Sequence, residues 1–193
     1  YDEMDYELAR LEEKSENYSE HIFAIMMEAR RKAELCKVPL FVEMAEDLYD
    51  EGKSVVLFVN FTDTVDAVVK RLNKIKKFKD NIGFIVGGQN DKVRQADIEA
   101  FQSDKKRVLV VNIAAGGTGI SLHDLNGKFP RASIISPNWS AYNMRQALGR
   151  VWRQGGKTKS YQRIVYAAKC VEENICHRVQ FKLNCLDTLN DGD

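Results

Sequence analysis

Apolar residues recur along this chain in two alternating rhythms. Short, nearly unbroken runs at Val55–Val59, Ile82–Val86, Val108–Ile113 and Ser133–Ile135 alternate with longer stretches at Thr62–Asn73, Asp91–Phe101, Tyr142–Val151 and Val171–Leu186, whose apolar positions fall three and four residues apart. Runs of the first kind predict strands buried on both faces, and the periodic stretches predict the helices that cover them. Tyr161–Tyr166 adds a last strand. Ahead of this alternation, Tyr6–Lys37 predicts a long helix with Ile22, Ile25, Met26 and Ala29 on one stripe. Pro39 is expected to interrupt it, and Leu40–Tyr49 to resume as a second helix closed at Gly52. The pattern predicts an α/β fold, a mostly parallel sheet with helices on both faces, plus an N-terminal helical segment. The expected division is a helical segment over 1–51 and the sheet-bearing domain over 52–193. Ligands in such sheets bind beyond the carboxyl ends of the strands. Asn60, Phe61, Gly87, Gly88, the Gly116–Gly119 loop and Ser136 to Trp139 fall there.

Two of these junctions carry candidate chemistry. The run Val108–Ile113 leads into Ala114-Ala-Gly-Gly-Thr-Gly119, a small-residue loop that lets backbone amides approach a ligand closely. After the next strand, Gln146-Ala-Leu-Gly-Arg150-Val-Trp-Arg153 puts two arginines three residues apart, a spacing that shares one helical face. Arginine presents a planar fork of donors suited to phosphate oxygens, and a pair aimed at one spot reads as a clamp for a phosphoryl group. Each piece alone also fits a tight turn or a solvated basic helix. Their order is far more specific.

That order resembles motifs V and VI of the superfamily 2 helicases, and in form the Swi/Snf-type translocases (A-G-G-x-G-x-x-L, W-N-P, then Q-A-x-G-R-x-x-R-x-G-Q). The resemblance runs from Lys53 to Lys182: Lys53–Phe61 is similar to motif IV. Gly87, Gly88, Arg94 and Ile98–Phe101 resemble a further segment, and Val171–Ile175 with Lys182 the closing helix. The chain departs from the pattern at Trp139-Ser140-Ala141, at Ser136 and Pro137 where an aspartate is usual, and at Gly155-Gly156. A divergent viral or mobile-element branch is one reading of those departures. The resemblance implies a RecA-like three-layer sandwich, the C-terminal of the two lobes between which such motors hold ATP. The first lobe's P-loop is not found. Gly156-Lys157-Thr158 has Val151 where the pattern needs its first glycine, and it leads into a predicted strand. With Tyr1 at the start in place of methionine, the expectation is an excised second lobe that binds no cofactor alone and does not hydrolyse ATP. ATP and Mg²⁺ would be held by the N-terminal RecA-like lobe of the same protein.

Roles implied by the resemblance follow residue by residue. Arg150 and Arg153 reach the γ-phosphate, with Arg153 as the arginine finger. Gln146 links the nucleotide to nucleic acid through the glycine loop, where Gly117 and Gly119 permit close approach and Thr118 offers its hydroxyl. Asn60, Thr62, Gly88, Lys92 and Arg94 are candidates for nucleic-acid backbone contacts. Trp139 either packs under a helix or stacks on a base, and Trp152 is expected in the core. Duplex DNA is favoured over RNA as the polymer. An RNA helicase lobe and a non-hydrolysing docking module are the alternatives.

Composition narrows the class. With 193 residues, 44% of them hydrophobic, the chain can bury a core without disulfides or metal. Cys36, Cys170, Cys176 and Cys185 form no C-x-x-C pair, and His21, His123 and His177 do not cluster with them. Free thiols in a reducing intracellular compartment, nucleus or cytoplasm, are expected, with no metal site. No apolar run reaches the ~20 residues of a membrane span, and the acidic start is unlike a signal peptide. The net charge of +1 conceals an asymmetry: residues 1–51 hold 15 acids against 6 bases, and residues 128–183 hold 11 bases against 2 acids. Lys70, Arg71, Lys74, Lys76, Lys77 and Lys79 form the densest basic cluster, either a solvated helix end or a phosphate-backbone contact.

Overall fold

Each central strand is apolar on both sides because each is covered on both sides. The computed structural model describes residues 21–116 and 119–190, the last eight by their backbone alone. Five strands, β1 (Ser54–Val59), β2 (Ile82–Ile85), β3 (Val108–Asn112), β4 (Arg131–Ile135) and β5 (Tyr161–Ile164), pair entirely in parallel in the order β2-β3-β1-β4-β5. Residues 21–36 form helix α1, followed by α2 (Val38–Asp50), α3 (Thr62–Leu72), α4 (Asp91–Gln102), the four-residue α5 (Ile113–Gly116), α6 (Ala141–Val151) and α7 (Val171–Asn190). The expected α/β sandwich is the fold observed.

The strand period of two distributes β1 between two cores. Val55, Leu57 and Val59 face α2 and α3, where Phe41, Ala45, Leu48, Val65, Val68 and Leu72 close one layer. Val56 and Phe58 face the other way, against Phe101 of α4, Met144, Ala147 and Val151 of α6, and Ile175 and Val179 of α7. All six β1 residues are buried, whereas β5 is a largely exposed edge strand. The buried-strand reading of Tyr161–Tyr166 therefore does not hold for β5.

Three boundaries differ from the sequence reading, each for a local reason. Pro39 does not interrupt a helix. It occupies the first turn of α2, where a missing N–H has no intrahelical partner to lose, and the break falls earlier, at Lys37. The strand expected over Val108–Ile113 stops at Asn112, whose side-chain oxygen accepts from Ala114 N (3.0 Å) and Ala115 N (3.3 Å) and so turns the chain into α5. The glycine-rich loop thus opens with a helical turn. Finally, Val38, Phe41, Ala45 and Leu48 of α2 lie in the same core as β1, so the division at 51/52 falls inside one packed layer.

A buried ion pair ties the ends of the chain together. Lys37 Nζ sits 2.8 Å from Glu172 Oε1 at the start of α7, and donates to Ser136 Oγ (3.0 Å) and the Val165 carbonyl (3.0 Å). All three ammonium protons have a partner. Glu172→Gln should lower stability by about 3–5 kcal/mol, because it leaves a buried ammonium without its counter-ion. Adding Lys37→Met should recover a large part of that loss. Denaturant melts of the two variants check this, and a double mutant no more stable than Glu172→Gln would show that the pair is not coupled.

Candidate functional site

The α6 helix is held at its start by polar caps and along its length by the core. Ser140 Oγ accepts from Asn143 N (3.2 Å), Asn138 Oδ1 accepts from Ser140 N (2.8 Å), and Ala141, Met144, Ala147 and Val151 bury one stripe. Arg150 lies on the edge of that stripe and is only 6% exposed. Its guanidinium donates to the Ile120 carbonyl (3.2 Å) and to Gln146 Oε1 (2.5 Å). Burial first, then the neighbouring Arg153, pushes its pKa below the ordinary arginine value.

Arg153 is not on the helix. α6 ends at Val151, and Trp152 is extended (φ −110°, ψ 116°), so helical spacing does not put the two arginines on one face. The chain instead folds Arg153 back, where Nε donates to the Gly149 carbonyl (3.3 Å) and Nη1 to Ser121 Oγ (2.6 Å). Both arginines consequently line one groove of about 380 Å³, together with Tyr142, Arg145, Gln146 and Gly149. The six lining residues include three arginines and no carboxylate, a charge balance that suits a polyanion. Arg145 was missed in the sequence. Its signal was the spacing Arg145, Gly149, Arg153, which repeats every four residues. Trp152, expected in the core, is 69% exposed because the extended backbone swings it off the packed stripe.

The Gln146 amide oxygen is occupied by Arg150, so Gln146 acts on the groove through that arginine. Of the loop residues, Gly119 adopts the left-handed conformation (φ 73°) that glycine permits, while Gly117 and Thr118 lie outside the described residues. Thr158, in the sequence that mimics a P-loop, is engaged elsewhere: its hydroxyl donates to Asp124 Oδ2 (2.8 Å), and Lys157 N donates to the Asp124 carbonyl (2.9 Å).

At the carboxyl ends of the central strands, asparagines join three strands. Asn112 donates to the Asn60 carbonyl (3.1 Å), Asn60 Nδ2 donates to the Pro137 carbonyl (2.8 Å), and Asn138 Nδ2 donates to Asn60 Oδ1 (2.7 Å). Glu34 of α1, with no exposed surface, accepts from Asn60 N (3.0 Å), Asn60 Nδ2 (2.6 Å) and Phe61 N (3.1 Å). Asn60 is therefore consumed by internal bonds, and α1 fills the crevice above β1. Trp139 packs beside it, with the Arg30 guanidinium 4.7 Å from its ring centre and Phe23 tilted against it at 6.3 Å. Thr62 and Lys92 stand exposed in the first turns of α3 and α4, next to Gly88 (φ 72°). Arg94 reaches across to the Ala115 carbonyl (2.9 Å), coupling α4 to the glycine-rich segment.

The lysine cluster lies elsewhere. α3 runs from the carboxyl end of β1 back to the amino end of β2, so Lys70 to Lys79 gather near the opposite edge of the sheet from Thr62. Lys77 is tied to Glu46 (2.8 Å) and Asp50 (2.6 Å) of the acidic segment, and the Asp50 bond leads the rise in its pKa. Among the described residues no group of three metal-ligating side chains occurs, and no helix is long and apolar enough to cross a membrane. The described cysteines are free, and burial, then Glu172, pushes the Cys176 thiol up to about 11. Iodoacetamide at pH 8 should label exposed Cys36 well ahead of Cys176, as peptide mass mapping would show.

With this geometry in place, comparison with known proteins decides the family. Residues 36–155 match the model of the helicase conserved C-terminal domain. The chain belongs to that family. The superfamily 2 C-terminal lobe expected from the motifs is thus the family found, and the match begins within the segment ahead of β1. A protein of Acanthamoeba polyphaga mimivirus that carries the name ATP-dependent RNA helicase is 36% identical over 194 residues, covering 100% of this chain and 35% of that protein. The DNA repair and recombination protein RAD54-like of Drosophila erecta is 29% identical over 148 residues, covering 75% of this chain and 18% of that protein. The chain therefore spans about a third or less of the length of these relatives. The crystal structure of the C-terminal part of the Fun30 ATPase domain superposes with a TM-score of 0.61 at 22% identity, over 74% of this chain and 44% of that one, which places the RecA-like fold.

Proposed function

We propose that this helicase C-terminal domain is the second motor lobe of an ATP-dependent DNA translocase or helicase, completing an ATP site whose other half lies on an N-terminal RecA-like lobe. The carboxylate-free groove of three arginines on α6 carries the reading. Charge that builds on a transferring γ-phosphoryl group is stabilised by donors already in place and shielded from water. Arg153, exposed at the groove and held by Ser121, is the finger. Arg150, buried and fixed by Gln146 and Ile120, sets the groove's shape and potential. Mg²⁺ would belong to the first lobe, and no step assigned to this chain runs through a metal.

ATP binding draws the lobes together and hydrolysis releases them, so each cycle shifts the two lobes' grips on the polymer. Thr62, Gly88, Lys92, Arg94, Thr118 and Trp139 are the grip residues proposed for this lobe, and Asn60 supports them from within. Such contacts carry no sequence information, as a motor working along any stretch requires. The Arg94 bond to Ala115 supports coupling of grip to nucleotide, because it ties α4 to the loop leading toward the arginine groove. Without the first lobe this chain should not hydrolyse ATP.

The motif forms favour duplex DNA. A second reading, RNA, has its own support in the name of the mimivirus relative. Stimulation of the full-length ATPase by duplex DNA, single-stranded DNA and RNA at one fixed low salt concentration separates them, since phosphate contacts make any uncontrolled comparison meaningless. Stronger stimulation by RNA would overturn the DNA assignment.

A further inference from the structure

Gly149 sits inside α6, where glycine weakens a helix relative to alanine. Nothing in the fold calls for it. Its φ is not left-handed, and a Cβ at this position would meet no atom within 4 Å. A residue that costs helix stability and fits no packing need points outward. Gly149 and Arg145 form the low ridge between two grooves, and both residues line each of them. On one side is the arginine groove. On the other is a groove of about 540 Å³ walled by Leu148 and Trp152, with Ser160 and Gln162 as its polar members. Neither has a carboxylate in its lining.

The two grooves differ in the way the two halves of a nucleotide differ. Polyphosphate needs convergent cations, and a heteroaromatic base needs a flat apolar face with a few hydrogen-bonding groups beside it. Trp152 offers its indole at 69% exposure, and the Gln162 amide is oriented by its donation to the Leu148 carbonyl (2.9 Å), leaving its oxygen to accept. Arg145, at the junction, makes no hydrogen bond or ion pair among the described residues and is open to a ligand.

We propose that the Trp152 groove binds the base of the nucleotide whose phosphates occupy the arginine groove, with the ribose crossing at Gly149, where the absence of a side chain lets it lie on the helix backbone. This assignment rests on the nucleotide reading of the arginine groove. It makes Trp152 a stacking residue, Gln162 a base acceptor and Gly149 a notch.

Steady-state hydrolysis by the full-length protein tests the proposal, with inorganic tripolyphosphate as a competing probe that has phosphates and no base. Trp152→Ala should raise the KM for ATP about ten-fold, the loss expected for one base–aromatic stack, and Trp152→Phe should restore it. Gly149→Ala should raise the KM in the same way while its melting temperature stays equal to or above that of the parent. Inhibition by tripolyphosphate should be unchanged in both variants. An ATP KM within two-fold of the parent in Trp152→Ala and Gly149→Ala overturns the base assignment, even if arginine substitutions abolish turnover. A shift only in the DNA concentration needed for half-stimulation overturns it too, in favour of a nucleic-acid contact at Trp152. Absence of any hydrolysis by the folded parent overturns the underlying nucleotide reading instead.

Discussion

Arg153→Ala is expected to lower DNA-stimulated ATP turnover of the full-length protein by about 10³-fold or more, the scale at which an arginine finger acts in phosphoryl transfer. The side chain is exposed, its bonds are to one hydroxyl and one carbonyl, and no core contact depends on it. Its loss should therefore leave the melting temperature within a degree or two and DNA affinity close to that of the parent, so the defect lies in turnover alone. Arg153→Lys should recover little, because an ammonium lacks the planar fork that spans two phosphoryl oxygens. The neighbouring Arg150 would make a poorer test. Being buried and bonded to Ile120 and Gln146, it would take stability with it, and slow turnover would then have two causes. Turnover of Arg153→Ala within three-fold of the parent would remove the finger from this residue.

Glu34→Ala should destabilise the domain by about 3–5 kcal/mol, as removal of one side of a buried charged hub does. Glu34 has no exposed surface and receives the backbone N–H groups of Asn60 and Phe61 and the Asn60 amide, at the end of the central strand. Without it those donors stay buried unsatisfied, and Arg30, held over Trp139, loses its nearest acid. Glu34→Gln should cost less, since one oxygen still accepts. Urea unfolding of the two variants measures this directly. A cost under ~1 kcal/mol for Glu34→Ala would mean that α1 rests on the domain without being part of its fold.

That second prediction arises from what the sequence did not reveal. The strands were legible because β-branched runs such as Val55–Val59 need burial on both faces, and their alternation with helices dictates a parallel sheet. The motif arginines were legible because their residue types and order are rare. The acidic segment was not, since Glu34 and Lys37 look like any solvated helix face until tertiary structure supplies Asn60 and Glu172 as partners. Extrapolating helical spacing through Trp152 failed for a related reason. The helix ends at Val151, and Arg153 returns to the groove through Ser121, a residue 32 positions earlier that no local pattern could connect to it. Arg145 went unseen because attention to the Arg150–Arg153 interval hid the four-residue repeat through Gly149.

The most direct measurement is the steady-state ATPase rate of the full-length protein and its Arg153→Ala variant, with and without duplex DNA at fixed low salt. The account predicts strong stimulation of the parent by DNA and a flat, near-zero response from the variant at unchanged melting temperature. An intact, folded parent that hydrolyses no ATP with any polymer, or a variant stimulated as strongly as the parent, would contradict it and leave the arginines of α6 as a basic docking surface.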